Sequence, residues 1–190
     1  MASDTRSNLI DVATGQVRRR GYSAFSYADL AEAADLRKPS IHHHFPSKED
    51  LGVAMVETYT ERFSEDLARI DAGRGTALER LRAFARLYRK GLGAEQGCLC
   101  GVLASEIAVL PPRVQAGVRQ FFQLNLQWLE RTLEEGRSKR QLGAAVEPRR
   151  DARAVLAALE GALLVALSLQ QPAVFDHAVD GLFAGLAATR

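Results

Sequence analysis

The chain has 190 residues and a mass of 20.8 kDa, with 47% hydrophobic, 25% charged and 7% aromatic side chains and a formal net charge of +2. This length suits one or two domains, and the balance excludes disordered, collagen-like and low-complexity classes. Thirty alanines and 25 leucines occupy the chain, residues that favour helices, while turn-separated runs of β-branched and aromatic residues are scarce; an all-α fold is expected.

Residues 1–10, MASDTRSNLI, lack a basic segment followed by an apolar core, and the most apolar stretch, residues 162–169, is short and follows Glu160 and Gly161. The expectation is a cytoplasmic protein with no membrane partner. Cys98 and Cys100 stand one residue apart, too few for a disulfide scaffold and a ligand pair short of a structural zinc site. They are read as thiols, and neither a metal nor a cofactor is expected.

Leu9, Ile10, Ala13 and Val17 recur at spacings of three and four, which predicts a helix over residues 5–20 ended by Gly21. Ser26 with Asp29 three residues on forms an approximate capping box for a second short helix carrying Ala28, Leu30, Ala31 and Ala34. Pro39 fits the first turn of a third, with Ile41 and Phe45, four apart, facing the core. Ser47 followed by Asp50 opens a fourth, continued by Leu51, Ala54, Met55 and Thr58.

Net charge is uninformative here, because residues 1–52 hold seven Lys or Arg and seven Asp or Glu. Position matters more. Residues 36–48, LRKPSIHHHFPSK, contain Arg37, Lys38, Lys48 and three histidines but no carboxylate. Two short helices, the second with a carboxylate-free polar face, form the arrangement of a helix-turn-helix reader whose second helix enters the major groove. Ser40, His42 and His43 offer hydrogen bonds to phosphates or base edges, and Arg37, Lys38 and Lys48 favour phosphates. The alternative is a solvent-facing turn that keeps a helical domain soluble. Three consecutive histidines lie about 100° apart around a helix, so they do not converge on one metal ion.

The segment FSYADLAEAADLRKPSIHHHFPSKEDL, residues 25–51, resembles the DNA-binding signature of the TetR family of bacterial transcriptional regulators, through Leu30, Ala31, Ala34, Leu36, Ser40, Ile41, His44, Phe45, Ser47, Lys48 and Leu51. The resemblance implies three N-terminal helices that bind DNA, followed by a helical regulatory domain that dimerises and commonly binds a small ligand. It places Pro39, Ser40, His42 and His43 on or beside the DNA-facing side of the third helix, Lys48 near phosphate, and Phe45 in a structural role. Family members often carry Tyr where His42 or His43 stands and Gly where Pro39 stands.

Beyond the head, Asp71 to Gly75 marks a break, after which Thr76 caps a helix with Leu78, Leu81, Ala85 and Tyr88 on one face. A further helix is expected near Cys98, with Leu99, Leu103 and Ile107 in one stripe stopped by Pro111 and Pro112. A long helix over residues 114–140 follows, with Val114, Val118, Phe121, Phe122, Leu126, Leu129 and Leu133 inward and Arg131, Glu134, Glu135 and Arg137 on a polar side. Phe84, Tyr88, Cys98, Cys100, Leu103, Phe121, Phe122 and Trp128 are the candidates for an apolar effector cavity or a sensing site. Residues 97–106, GCLCGVLASE, are similar to a TetR subset in which a cysteine near the sixth helix senses electrophiles or oxidants.

Two C-terminal helices are separated at residues 170–172. Leu156, Leu159, Leu163 and Leu167 on the first, with Ala178, Leu182, Phe183 and Leu186 on the second, are the candidate dimerisation residues, and small residues such as Gly161, Gly181 and Gly185 permit close packing with another copy. Residues 1–52 are read as a three-helix DNA-binding domain and residues 53–190 as the regulatory and dimerising body. The expected function is a homodimeric transcription regulator of operator DNA, a repressor released by an unidentified small-molecule effector. The alternatives are a thiol-based sensor acting through Cys98 or Cys100, and a helical small-molecule binder without DNA specificity. No enzyme is expected, since the cysteine pair is not CxxC, no phosphate-binding glycine loop occurs, and no serine-histidine-acid arrangement can be located from the sequence.

Overall fold

A computed structural model describes residues 2–187. Among these residues there are nine α-helices and no sheet: α1 (Ala2–Arg20), α2 (Tyr27–Ala33), α3 (Lys38–His44), α4 (Lys48–Ala72), α5 (Ala77–Arg89), α6 (Leu99–Ser105), α7 (Pro112–Ser138), α8 (Pro148–Leu169) and α9 (Pro172–Leu186). They form two compact units, Met1–Arg62 with Leu99–Phe121, and Phe63–Cys98 with Phe122–Arg190. The first unit therefore holds, beside α1 to α3, α6 and the first turns of α7, which a linear division after residue 52 assigns to the body.

In the first unit, Leu9, Ile10, Ala13 and Val17 of α1, Leu30 of α2, Ile41 and Phe45 around α3, Leu51 and Met55 of α4, and Leu99 and Leu103 of α6 are all buried, and α1 packs against α2 and α6. The start of α1 lies three residues before the expected position, at Ala2. Gly21 ends it with a φ of +90° and an amide that donates to the Val17 carbonyl at 2.8 Å. Gly52 and Gly117 are close-approach positions. A Cβ on the first would stand 2.9 Å from Val114, and on the second 2.9 Å from Val56.

The stripe expected to run from Leu99 through Ile107 is cut short. Leu99 and Leu103 are buried, but α6 stops at Ser105 and Ile107 lies exposed in a single 3₁₀ turn, Ile107–Val109. The chain leaves the helix at Glu106, whose carboxylate is held by another part of the unit. The long helix also ends earlier than expected, at Ser138, because Arg140 adopts a left-handed φ of +55°.

In the second unit Thr76 and Glu79 make the full capping box of α5, and α5, α8 and α9 pack together. Val155, Leu159 and Leu163 of α8 and Phe175 and Phe183 of α9 are fully or almost fully buried. Arg89 makes a two-pronged pair with Asp176, at 2.7 and 3.0 Å, tying α5 to α9. Asp71, at the end of α4, accepts from Trp128 Nε1 at 3.0 Å, Arg131 at 2.9 Å and Arg80 at 2.5 Å. Arg80 also reaches Glu135 at 2.7 Å and lies over the Trp128 ring. This network and the buried polar residues Asn125, Thr132 and Asp151 interrupt faces that periodicity paints as uniformly apolar.

The 22 residues of α8 are, by length and composition, apolar enough to cross a membrane, whereas residues 162–169 alone are too short. Alanines extend the apolar run toward the N-terminus, and its Val155, Leu159, Leu163 and Ala166 are consumed by packing within the unit.

Two outcomes follow from this packing. A Cβ on Gly136 would stand 2.5 Å from the Ala77 Cβ and 2.7 Å from Leu142, so Gly136→Ala lowers stability by about 1–3 kcal/mol through overpacking. Urea unfolding should show a lower midpoint at unchanged slope; an unchanged midpoint would mean that Leu142 moves aside. The second concerns Glu160, whose carboxyl burial pushes up to about 7, against a hydrogen bond from the Cys98 thiol. Between its ordinary value of 4.5 and about 7, the folded state retains a proton that the unfolded state has released. Stability therefore falls as pH rises through that window, by about 3 kcal/mol in total. Glu160→Gln should flatten the dependence; equal slopes for both proteins between pH 5 and 7.5 would refute it.

Candidate nucleic-acid interface

Ser26 caps α2 as a full capping box with Asp29, its backbone amide donating to the Asp29 carboxylate at 2.8 Å. Asp35 turns the chain with a left-handed φ of +52°, and the Leu36 amide closes on the Ala31 carbonyl at 3.0 Å. Arg37 is extended at the entry to α3, and Pro39 lies in its first turn, where a missing backbone donor costs little.

Within α3, Ile41 and the following Phe45 are buried, fixing the helix from beneath. Arg37, Lys38, Pro39, His42 and His43 are exposed and Ser40 is half-buried. Six of the seven DNA-contact candidates thus lie along α3 and its entry. His43 packs edge-on against His44, and the His42 ring lies 4.8 Å edge-on from Tyr27 with its Nδ1 3.4 Å from the Pro46 carbonyl.

Lys48 differs from the other six. It is half-buried, its Nζ donates to the Tyr22 carbonyl at 2.7 Å, and it stands over the rings of Tyr22 and Phe25, at 4.5 and 5.6 Å. Burial lowers its pKa, opposed by the charges of Glu106 and Asp29. In return, the Tyr22 hydroxyl donates to the Lys48 carbonyl at 3.0 Å. Burial, aided by Glu49, pushes the Tyr22 phenol up to about 12, so it remains a donor at every physiological pH.

Three residues of this site carry no signal in sequence. Tyr27 donates to the carbonyls of Phe45 at 2.9 Å and Ser47 at 2.6 Å, pinning the exit of α3. Glu106 accepts from the Tyr22 amide at 2.7 Å, the Ser23 amide at 2.8 Å and the Ser23 hydroxyl. Its burial raises the pKa, but the Ser23 and Tyr22 donors and the Lys48 charge outweigh this and hold the carboxyl below the usual range. Arg113 reaches Asp50 at 3.0 Å, joining α7 to the start of α4.

The effector candidates divide between the units. Cys100, Leu103 and Phe121 belong to the first, all buried, with Phe121 against Tyr59 at 5.5 Å. Phe84, Tyr88, Cys98, Phe122 and Trp128 belong to the second. There Phe84 stacks on Trp128 at 5.2 Å and meets Tyr88 at 5.5 Å, with Phe63 completing the cluster. Phe122 is only half-buried. An open groove of about 620 Å³ in the second unit runs between α4 and α5 and is rimmed by Arg69, Arg86, Arg89 and Lys90; no effector candidate lines it. Of the dimerisation candidates, Leu156, Leu159, Leu163, Phe183 and Leu186 are buried within the unit, Leu167 and Leu182 are half-buried, and Ala178 is exposed.

Residues 9–55 match the family model described as bacterial regulatory proteins, tetR family, and residues 77–182 match the one described as tetracyclin repressor-like, C-terminal domain. The transcriptional regulator AcuR of Cereibacter sphaeroides is 32% identical over 171 residues, covering 86% of this chain and 76% of that protein. The HTH-type transcriptional repressor NemR of Escherichia coli K12 is 28% identical over 170 residues, covering 86% and 84%. A crystal structure of a TetR-family regulator from Agrobacterium tumefaciens superposes with a TM-score of 0.94 at 31% identity, covering 99% of this chain and 100% of that one. With both its head and its body matched, this chain belongs to the tetR family of bacterial regulatory proteins and is a DNA-binding transcription regulator.

Proposed function

We propose that this regulator is a repressor that reads a near-palindromic operator as a homodimer, one α3 per half-site, and leaves it when a small effector occupies the helical body. The observation that carries the reading is the two-sided character of α3. Ile41 is fully buried while Arg37, Lys38, Pro39, His42 and His43 are exposed on a stretch without a carboxylate. Such a surface suits phosphate and base edges together. The relative from Escherichia coli is named a repressor, which favours repression over activation. The head is assigned to residues 1–52 and the regulatory and dimerising body to residues 53–190.

The dimer face is assigned to the outer sides of α8 and α9. Ala154, Ala157, Gly161, Leu164 and Ser168 are exposed at spacings of three and four on α8, as are Ala178, Gly181 and Gly185 on α9. Leu164 is 66% exposed, Val165 46% and Leu169 53%, an apolar strip that a lone protomer leaves wet. A Cβ at Gly161, Gly181 or Gly185 would meet nothing within 4 Å, so packing inside the protomer does not require these glycines. Close approach of a second copy would. The buried leucines expected at the seam support it from behind.

For the effector, the aromatic cluster of Phe84, Tyr88 and Trp128 supports an apolar ligand in the second unit. Both thiols are buried and Cys98 donates to Glu160, which favours a non-covalent effector over thiol chemistry.

In selection from random DNA, the wild-type protein should enrich a two-half-site sequence, and His42→Ala or His43→Ala should relax preference at individual positions at a cost of about 1–3 kcal/mol each. No enrichment over random DNA at low salt would sink the operator reading. For the dimer, Gly161→Leu combined with Gly181→Leu should weaken self-association at least tenfold with helicity retained, as read by sedimentation over a concentration series. A wild-type chain that stays monomeric throughout would refute the interface.

A further inference from the structure

The open groove between α4 and α5 combines two kinds of surface. Its floor is apolar, formed by Ile70 of α4 with Ala83 and Leu87 of α5, each half-buried and still reached by solvent. Its rim is cationic: Arg69, Arg86, Arg89 and Lys90 stand around one carboxylate, Asp66. Ala83, Arg86, Leu87 and Lys90 follow one another at helical spacings of three and four, so one face of α5 and its cap carries floor and rim together. Ion pairing within the unit leaves positive charge over. Asp66 is shared by Arg69 at 2.5 Å and Lys90 at 3.6 Å, and Arg89 is matched by Asp176, which does not line the groove. Arg86 is exposed and makes no ion pair or side-chain hydrogen bond among the described residues. Four cations thus meet two carboxylates, and Arg86 and Lys90, like charges four positions apart on the helix, repel each other.

We propose that this groove is a binding site for an amphipathic organic dianion, in its simplest form an alkyl phosphate, whose hydrocarbon lies on Ile70, Ala83 and Leu87 while its phosphate is held by Arg86 and Lys90. The two surplus positive charges call for two negative ones. A guanidinium offers a planar fork that matches two phosphate oxygens at once, and the neighbouring ammonium adds a compact point charge. A bare anion would leave the floor wet, and a neutral lipid would leave the charges unmatched; only a molecule with both parts answers the whole surface. The volume of about 620 Å³ lies within the range of small-molecule sites. This site is separate from the effector reading above, since Phe84, Tyr88 and Trp128 do not line it, and it does not depend on the operator reading.

The test is calorimetric titration of the full-length protein with octyl phosphate, kept below the concentration at which it forms micelles. The wild-type chain should show one saturable site at submillimolar concentration. Inorganic phosphate alone and octanol should each bind at least about tenfold more weakly, because each answers only one of the two surfaces. Arg86→Glu and Lys90→Gln should each weaken octyl phosphate by about tenfold or more. Leu87→Ser should weaken it with the cationic rim intact. Arg149→Glu, at an exposed position of α8 outside the groove, should leave the affinity unchanged.

No saturation below millimolar octyl phosphate would overturn the site, as would an affinity undiminished in Arg86→Glu. Equal affinity for inorganic phosphate would remove the apolar floor from recognition, and equal affinity for octanol would remove the anion; either result refutes the dianion with a hydrocarbon body. Should Leu87→Ser lose helicity, ethyl phosphate replaces it as the probe of the floor, and an affinity equal to that of octyl phosphate would refute the contact. Two further outcomes assign the groove to a different occupant and overturn the proposal. One is a change of self-association in Arg86→Glu, read by sedimentation, which would make the groove a seam between copies of the chain. The other is a loss of affinity for random DNA in Arg86→Glu with octyl phosphate binding unaltered, which would make it a nucleic-acid surface.

Discussion

The DNA-reading half of this regulator depends on where one tyrosine is held. The amide of Tyr22 is bound by Glu106, its carbonyl by Lys48, and its hydroxyl returns to the Lys48 backbone. The two charge-assisted bonds are short and part-buried, the class of hydrogen bond that is both strongest and most directional. They differ in kind from the exposed pair of Arg62 with Asp11, where solvent screening leaves little net stabilisation. Because the bonds converge on backbone atoms of a turn, they fix geometry more than they add stability. A helix of seven residues such as α3 is too short to hold its own orientation, since isolated helices of this length are marginal. Its direction is imposed by its ends.

The second unit solves a similar problem with a different residue. Asp71 collects Trp128, Arg131 and Arg80 at the C-terminal end of α4, and Arg80 extends the network to Glu135. The guanidinium of Arg80 is mostly shielded and lies over the indole, so its desolvation is offset by the bonds to Asp71 and Glu135 and by the Trp128 ring, while its Nε is buried without a hydrogen-bond partner. In both units a carboxylate near a helix end, not an apolar stripe, decides how the neighbouring helices are registered. Glu160 is the exception. Its main partner is the Cys98 thiol and its Oε1 has no hydrogen-bond partner, which is why burial dominates and its proton is retained to about pH 7.

Local rules made much of this legible in sequence. The capping box at Ser26, the cap at Thr76, the stop at Gly21 and the paired anchors Ile41 and Phe45 each depend on residues within four positions of one another, and the carboxylate-free stretch of residues 36–48 is continuous in the chain. What sequence could not supply were contacts between distant segments. Nothing near Glu106 announces Tyr22, and nothing near Asp71 announces Trp128. Periodicity also cannot sort apolar residues that fill a protomer from those that face a second one. Leu163 and Leu164 are adjacent and equally apolar, yet one is buried and the other 66% exposed. The glycines are more telling once neighbours are known: Gly136 is wedged against Ala77 and Leu142, while Gly161, Gly181 and Gly185 face open space.

Holding α3 by its ends separates placement from reading. Tyr27 grips the carbonyls of Phe45 and Ser47, and Lys48 grips that of Tyr22; none of these acceptors depends on which side chain stands at residues 37 to 43. Only Ile41 and Phe45 are needed beneath the helix. The exposed positions Arg37, Lys38, Pro39, His42 and His43 can therefore change without moving the backbone that presents them. Proline in the first turn reinforces this, since it fixes φ at no cost in hydrogen bonds. A reader built this way can acquire a new operator through substitutions on one face of one short helix, while the residues that aim it, far away in sequence, stay as they are.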